Sequence, residues 1–524
     1  MSGGTGAGSP DGGRLRLADL LAALSVATDL GHGQAPETAM RVCIVASRLA
    51  DRLGLGAAER GNIYFASLLR HIGCTAYAHE EAVLFGGDEI SARAAVATRD
   101  IANPREALSF TFSAVGVSLD PVRRAGAIAS SLVRTPGAIR ELAASNCEVG
   151  SMIARQLDLP DAVQAALNQV YERWDGKGWP NKLAGERLSL AVRVTMVADA
   201  GVAVADASDI NTACSVVGSR AGGMFDPEIC KSFETSGADL LSGLDDGDVW
   251  QMVLESEPQP HRTASETRID PIARAFADMA DLKTTFTRSH SSEVARICAG
   301  AAVRVGLDQA SMVDLNRAAL LHDLGRVGVP NGVWDKPGRL SSIDWERVRL
   351  HPYHTERILS RSPVLAHLAP IAGMHHERQD GSGYYKQLSK AAIPMTARIL
   401  AAADVYQAVT SHRPHRPGRD DTAAAAVLDS EARTGKLDPQ AVAAVLASEG
   451  RVSVARTTWP DGLTDREVEV LRLISRGASQ KEVGVALVIS HRTAAHHIQH
   501  IYDKVGVSTR AAAAMYAMEH DLLA

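Results

Sequence analysis

Ala318-Ala319-Leu320-Leu321-His322-Asp323-Leu324-Gly325 is an apolar helical run that ends in two metal-ligating side chains placed side by side. The same residue types return throughout the stretch from Ala319 to Arg416. They stand in Leu350-His351-Pro352, in Gly373-Met374-His375-His376-Glu377-Arg378-Gln379-Asp380-Gly381-Ser382-Gly383-Tyr384, and at Asp404 in the run Arg398–Asp404. A lone histidine on an apolar face is ordinarily a satisfied core residue. His-Asp and His-His neighbours inside one stretch point instead to a buried metal site. At 100° per residue, adjacent ligands cannot share one helix face. They fit a helix end, and Gly325 two residues later predicts one there.

Outward from this stretch the pattern is helical. Apolar residues recur at helical spacing, alternating β-branched runs are scarce, and the expected fold is all-α. A chain of 524 residues exceeds one hydrophobic core, so several domains are expected. A net charge of −6 and 46% hydrophobic residues describe an ordinary soluble chain. No apolar run approaches the ~18 residues of a membrane span. Met1–Gly13 lacks the basic and apolar regions of a signal peptide. A cytoplasmic location without a membrane partner is therefore expected, and the six cysteines, with no CxxC spacing, read as free thiols.

Residues 1–14, rich in Gly and Ser, are expected to be disordered. A helical block follows over 15–254. Residues 255–267, polar and holding two prolines, read as a linker to a second block over 268–450. A second linker, 451–461, leads to a compact last block, 462–524.

The two large blocks align with each other in order. Ser67-Leu-Leu-Arg70-His71-Ile-Gly73 lies on Ala319-Leu-Leu-His322-Asp323-Leu-Gly325, and Tyr171-Glu-Arg-Trp-Asp175-Gly-Lys-Gly-Trp-Pro180 on His376-Glu-Arg-Gln-Asp380-Gly-Ser-Gly-Tyr-Tyr385. Arg193–Asp199 lies on Arg398–Asp404, and Phe225-Asp-Pro on Leu437-Asp-Pro. A tandem duplication is the expectation. The candidate ligands His290, His322, Asp323, His351, His375 and His376 face Thr38, Arg70, His71, Asn146, Val170 and Tyr171, and only Asp404 keeps its counterpart, Asp199. The first copy is expected to keep the scaffold without the metal ligands. Gly86-Gly-Asp-Glu89 resembles a diguanylate cyclase signature, but four residues without the α/β domain around them read as a loop insertion.

Two divalent cations about 3.5–4 Å apart can activate water and neutralise a phosphoryl oxygen during in-line displacement. The second block offers seven candidate ligands for such a pair, His290, His322, Asp323, His351, His375, His376 and Asp404. A mixed imidazole and carboxylate set suits iron or manganese, with zinc possible. At residues 268–450 the chain resembles the HD-GYP subgroup of the HD phosphohydrolase superfamily, through His322-Asp323-Leu-Gly325, His375-His376 and Asp380-Gly-Ser-Gly-Tyr384. Lys336-Pro-Gly, His351-Pro, Ile393-Pro and Thr410-Ser-His-Arg-Pro414 agree with it.

The resemblance implies hydrolysis of a cyclic dinucleotide, cyclic di-GMP foremost, by a two-metal centre. His290, His322, Asp323 and Asp404 would hold one ion, with Asp323 bridging to a second held by His351, His375 and His376. Asp323 and Arg326 would be catalytic, and Arg326, Gly381, Gly383, Tyr384 and Arg398 would bind substrate. The family's lysine after His-Asp-x-Gly is Arg326 here, and its Gly-Tyr-Pro reads Gly383-Tyr384-Tyr385. Phe286 stands where three-metal members carry a glutamate, so two ions are expected.

In the last block, Thr464 with Glu467 and Ser479 with Glu482 have capping-box spacing, and a further helix follows Ser490. Helix, turn and polar-faced helix are the ingredients of a DNA reader. The block resembles the LuxR-type DNA-binding domain through Thr464, Glu467, Gly477, Glu482, Ser490, Thr493, His497, Lys504 and Gly506. That implies double-stranded DNA as partner and a homodimer, with Ser490, His491, Arg492, Thr493, His496, His497 and Lys504 at the DNA. From Leu463 onward seven Lys and Arg balance seven Asp and Glu, so a weak phosphate attraction is expected. Two functions remain open: a phosphodiesterase coupled to a DNA reader, or a regulator whose metal or nucleotide site senses without turnover.

Overall fold

The structure is a computed structural model that describes residues 14–450 and 459–523; of the stretch 1–14 expected to be disordered only Arg14 is described, and it stands in a strand, while most of the linker 451–461 lies outside the described residues. Helices dominate, and the one sheet among the described residues has two short strands. No helix among them is long and apolar enough to cross a membrane.

The first block is built on the helix Leu17–His32, buried on nearly every side, and on Thr38–Arg52 packed against Ala57–Leu68 and Leu190–Ala207. The second repeats that packing, with His290–Val305 against Gln309–Leu321, Met395–Thr410 and Pro439–Glu449. One apolar core runs through both blocks and into the last domain.

Several anchoring geometries occur once in each block. Asp29 accepts a hydrogen bond from the Ala39 amide at 3.0 Å, and Asp281 accepts one from the Ser291 amide at 2.7 Å. A Cβ on Gly73 would stand 1.9 Å from the Asn146 carbonyl oxygen, and one on Gly325 would stand 2.0 Å from that of His351. Only glycine allows this approach of two backbones. Glu172 accepts the amides of Asn181 and Leu183, as Glu377 accepts those of Lys386 and Leu388. Arg193 pairs with Asp226, and Arg398 with Asp438, each aspartate capping a helix that begins with proline.

Two stretches differ from the sequence expectation. Residues 255–267 are not a free tether. Thr263–Ser265 pairs antiparallel with Arg14–Arg16, and buried Glu257 takes the Arg16 guanidinium at 2.7 Å. Prolines and polar residues signal the end of a helix, but the backbone between them still needs hydrogen-bond partners. Nor is Gly86-Gly-Asp-Glu89 a loose insertion. Glu89, fully buried, accepts from Lys283 Nζ at 2.7 Å and from the Asn331 amide, while Gly332 donates to Gly87. This loop is the seam between the blocks.

In the last domain both expected capping boxes form, at Thr464 with Glu467 and at Ser479 with Glu482. The final helix, Arg510–Glu519, buries its alanines and methionines against the first block's long helix Pro121–Gln156 and against Ile269–Asp281. Glu148 clasps its start, accepting from the Ser508 amide and the Thr509 hydroxyl, both at 2.7 Å.

Candidate metal centre and DNA-reading helix

The expected helix end is present. Gln309–Leu321 stops at His322, and Asp323 (φ −102°, ψ 10°) turns the chain into a short 3-10 segment, Leu324–Gly328. His322 and Asp323 thereby face one centre. His290 opens its helix after Ser289 in the left-handed region (φ 61°), and His351 opens His351–Leu359. His375 and His376 follow the short helix Ala369–Gly373, and Asp404 projects from the middle of Met395–Thr410. All seven come together; His376 is partly exposed and the other six are buried.

Asp323 is the hub. Its Oδ2 lies 3.2 Å from His290 Nε2 and 3.3 Å from His322 Nε2, while its Oδ1 lies 3.4 Å from His351 Nε2 and 3.5 Å from His375 Nε2. Asp404 closes the two ends, with Oδ1 at 3.3 Å from His290 Nε2 and Oδ2 at 3.8 Å from His376 Nδ1.

The ring tautomers follow from the outer hydrogen bonds. Nδ1 of His322, His351 and His375 each meets the carbonyl oxygen three residues back, at 2.6–2.7 Å, and His290 Nδ1 meets Gln407 Oε1 at 2.5 Å. A carbonyl oxygen only accepts, so each Nδ1 carries a hydrogen and each Nε2 is turned inward. His351 Nε2 and His375 Nε2 then stand 3.0 Å apart with lone pairs opposed. His290 Nε2 and His322 Nε2 are buried without a well-formed hydrogen bond. Such an arrangement is relieved by cations between the nitrogens, so these residues fit a divalent centre.

The electrostatics agree. Burial would raise the Asp323 carboxyl, but Arg326, His322 and His290 hold it well below the usual carboxylate range. Burial is overcome at Asp404 too, chiefly by the His290 imidazole 3.3 Å away. Burial, joined by His322 and His351, pushes His375 down to about 4, a neutral imidazole at neutral pH. Against burial, the carboxylates of Asp323 and Asp404 raise His290 to about 9, so positive charge is favoured beside them.

Around the centre, Arg326 donates to Asp323 at 2.6 Å and lies 4.6 Å over the Trp334 ring, whose indole N–H reaches the Arg326 carbonyl. Tyr384 leans over His376, ring centres 4.6 Å apart. Gly381 (φ 80°) and Gly383 shape this loop; a Cβ on Gly383 would meet the Arg378 nitrogen at 2.4 Å. Arg398 is a correction. Its donors are taken by Asp438, Ile393 O and Lys390 O, so in this structure it pins a loop. Sequence reasoning missed Gln407, Trp334 and Arg413. Gln407 has a local signal, one helical turn after Asp404. Arg413 donates to Phe286 O, and burial with Arg326 nearby pushes it down to about 10.

In the last domain Ser490 caps His491–Val505 by accepting the Thr493 amide. His491, Arg492, Thr493 and His496 are exposed along one stretch, His497 is half-buried, and the His496 and His500 rings lie 4.0 Å apart. Lys504 is a second correction: its ammonium is held by Glu467 at 2.7 Å and by Gly462 O at 2.9 Å, inside the domain.

Comparison with known proteins agrees with this geometry. Residues 274–441 match the HD domain family, and residues 461–517 match the bacterial regulatory proteins of the luxR family. The 3′3′-cGAMP-specific phosphodiesterase 3 of Vibrio cholerae is 29% identical over 432 residues, covering 82% of this chain and 94% of that protein. A cyclic di-GMP phosphodiesterase of Thermotoga maritima is 31% identical over 204 residues, 38% of this chain and 55% of its own length. The crystal structure of a cyclic GMP-AMP specific phosphodiesterase from V. cholerae superposes with a TM-score of 0.58 at 27% identity, covering 84% of this chain and 99% of that one. The chain thus carries an HD domain of the kind found in the HD-GYP cyclic dinucleotide phosphodiesterases, followed by a C-terminal LuxR-type helix-turn-helix domain.

Proposed function

We propose that the chain is a metal-dependent phosphodiesterase that opens a guanine-containing cyclic dinucleotide and carries its own DNA reader. The opposed Nε2 lone pairs of His351 and His375, 3.0 Å apart beside a shared carboxylate, are the observation that carries this reading. His290, His322, Asp323 and Asp404 would hold one ion. Asp323, His351, His375 and His376 would hold the other. Iron or manganese suits this nitrogen and oxygen set. When bound, the ions supply Lewis-acid charge and lower the pKa of water.

The chain's own residues position and balance charge. Asp323, anchored by Arg326, turns one oxygen to His290 and His322 and the other to His351 and His375, and would serve both ions. Arg326, stiffened on Trp334, would clamp the non-bridging oxygens of the scissile phosphate. A new bond forms from water oxygen to phosphorus, the bond from phosphorus to the ribose oxygen breaks, and the departing oxygen takes up a proton. A guanidinium does not serve as a proton donor at neutral pH, so the proton for the departing oxygen comes from water.

Cyclic di-GMP is the substrate implied by the sequence resemblance. The relative that spans both blocks is named for 3′3′-cGAMP, whereas the half-length relative is named for cyclic di-GMP. We therefore place 3′3′-cGAMP first. Both blocks share their anchoring geometries, and we read them as a tandem duplication in which the first lost the two-ion centre. The exposed side chains of Ser490, His491, Arg492, Thr493 and His496 support DNA reading by the last domain.

Manganese- or iron-loaded full-length protein is incubated with 3′3′-cGAMP, cyclic di-GMP and their linear forms, with Asp323→Ala alongside. Linear product that needs both metal and Asp323 is expected. Binding of these nucleotides with no metal-dependent product would favour the sensor reading, to which Arg326 in the lysine position lends support. A low-salt gel shift with Arg492→Ala as control tests the reader.

A further inference from the structure

The first block brings a set of ligating side chains of its own together. His32 ends the helix Leu17–His32, His71 follows Ala57–Leu68, and Cys74 begins the 3-10 turn Cys74–Tyr77. Cys74 Sγ lies 3.7 Å from His71 Nδ1, and the His32 and His71 rings stack with centres 3.7 Å apart. One ligand atom from each of the three lies within 4.8 Å of the others. His32 Nδ1 and His71 Nε2 are buried without a hydrogen-bond partner. Buried polar atoms are nearly always partnered, so the orphaned His32 Nδ1, with His71 Nδ1 turned to the Cys74 thiol, marks a place for a cation.

We propose that His32, His71 and Cys74 form a mononuclear site for a soft divalent cation, zinc before iron or manganese. Thiolate with two imidazoles is a zinc donor set, and it differs in kind from the imidazole and carboxylate set of the second block. Zinc bond lengths of about 2.0 Å to nitrogen and 2.3 Å to sulfur give tetrahedral edges of roughly 3.3–3.6 Å. The Cys74–His71 separation is already close to that edge. The stacked His32 ring has to turn about its Cβ–Cγ bond to join them.

The surroundings suit a cation bound through a thiolate. Tyr171 Oη, itself taken by Asn146, lies 3.6 Å from Cys74 Sγ and can donate to the sulfur once its proton has left for solvent. The nearby guanidiniums are neutralised, Arg70 by Asp199 and Arg93 by Glu81. His71 and Cys74 align with Asp323 and Arg326, so the site occupies the corresponding place in the first block. It uses no residue of the second block and stands apart from the proposed phosphodiesterase activity.

Cobalt(II), an optical stand-in for zinc, is titrated into full-length protein. A thiolate-to-cobalt charge-transfer band saturating at one ion per chain is expected, displaced by zinc. It should be lost in Cys74→Ser, weakened in His71→Gln, and retained in Asp323→Ala. Absence of the band from the wild-type protein would overturn the assignment, and so would its persistence in Cys74→Ser.

Discussion

The two helical blocks hold their loops closed with the same contacts and fill the space between them with different chemistry. Gly73 and Gly325 admit a carbonyl at the same distance to within 0.1 Å, and Glu172 and Glu377 each gather two loop amides. At the centres they part. In the second block His322 and Asp404 face a space lined by imidazole nitrogens. In the first, Arg70 stands in the place of His322 and donates to Asp199 at 2.6 Å. A covalently tethered guanidinium there answers the same carboxylate that a free cation would answer in the second block. Apart from Asp199 and Asp404, the residues common to both blocks are therefore the ones that hold backbone, and the ones that differ line the two centres.

The largest test of this division is steric. Gly73→Ala and Gly325→Ala drive a methyl group into a backbone carbonyl, and each should cost more than about 3 kcal/mol on thermal or urea unfolding. A small effect at either position would mean that the two backbones can part there, and that the shared anchor is not one.

Next comes the outer hydrogen bond of His290. Gln407→Ala frees that ring, and metal affinity or turnover should fall about 10–100-fold, with the melting temperature nearly unchanged. An unchanged metal titration would show that His290 is held by its carboxylates alone.

The smallest effect is the most discriminating. Arg193→Ala and Arg398→Ala each remove a guanidinium from a capping aspartate and should lower stability by a similar amount, about 1.5 kcal/mol. If Arg398→Ala also raised the KM for a cyclic dinucleotide while Arg193→Ala left it alone, the assignment of Arg398 to the loop alone would be wrong.

What could be read in the sequence follows from which signals are local. His322-Asp323 before Gly325 announces a helix end, and the capping boxes at Thr464 and Ser479 announce two helix starts, because each is written within four residues. The seven ligands were legible because residue type and order sufficed, although their convergence on the two oxygens of Asp323 was not. The pairing of Arg14–Arg16 with Thr263–Ser265 and the burial of Glu89 against Lys283 join residues about 200 or more apart. No periodicity records such contacts. Arg398 and Lys504 erred in the same way: a cation near a site looks free until its acceptors are seen. His32 lies far along the chain from His71 and Cys74, and no local spacing joins the three.

The clasp of Glu148 on Ser508 and Thr509 has a thermodynamic consequence. It holds the last helix against the first block while Ser490, His491, Arg492, Thr493 and His496 stay exposed. In that docked form alone, promoter occupancy and nucleotide turnover would be independent quantities. Influence of one on the other requires a second arrangement of the clasp to which DNA and nucleotide bind with different strength. Linkage then makes the two binding effects reciprocal: whatever factor the nucleotide imposes on DNA affinity, DNA imposes on nucleotide affinity.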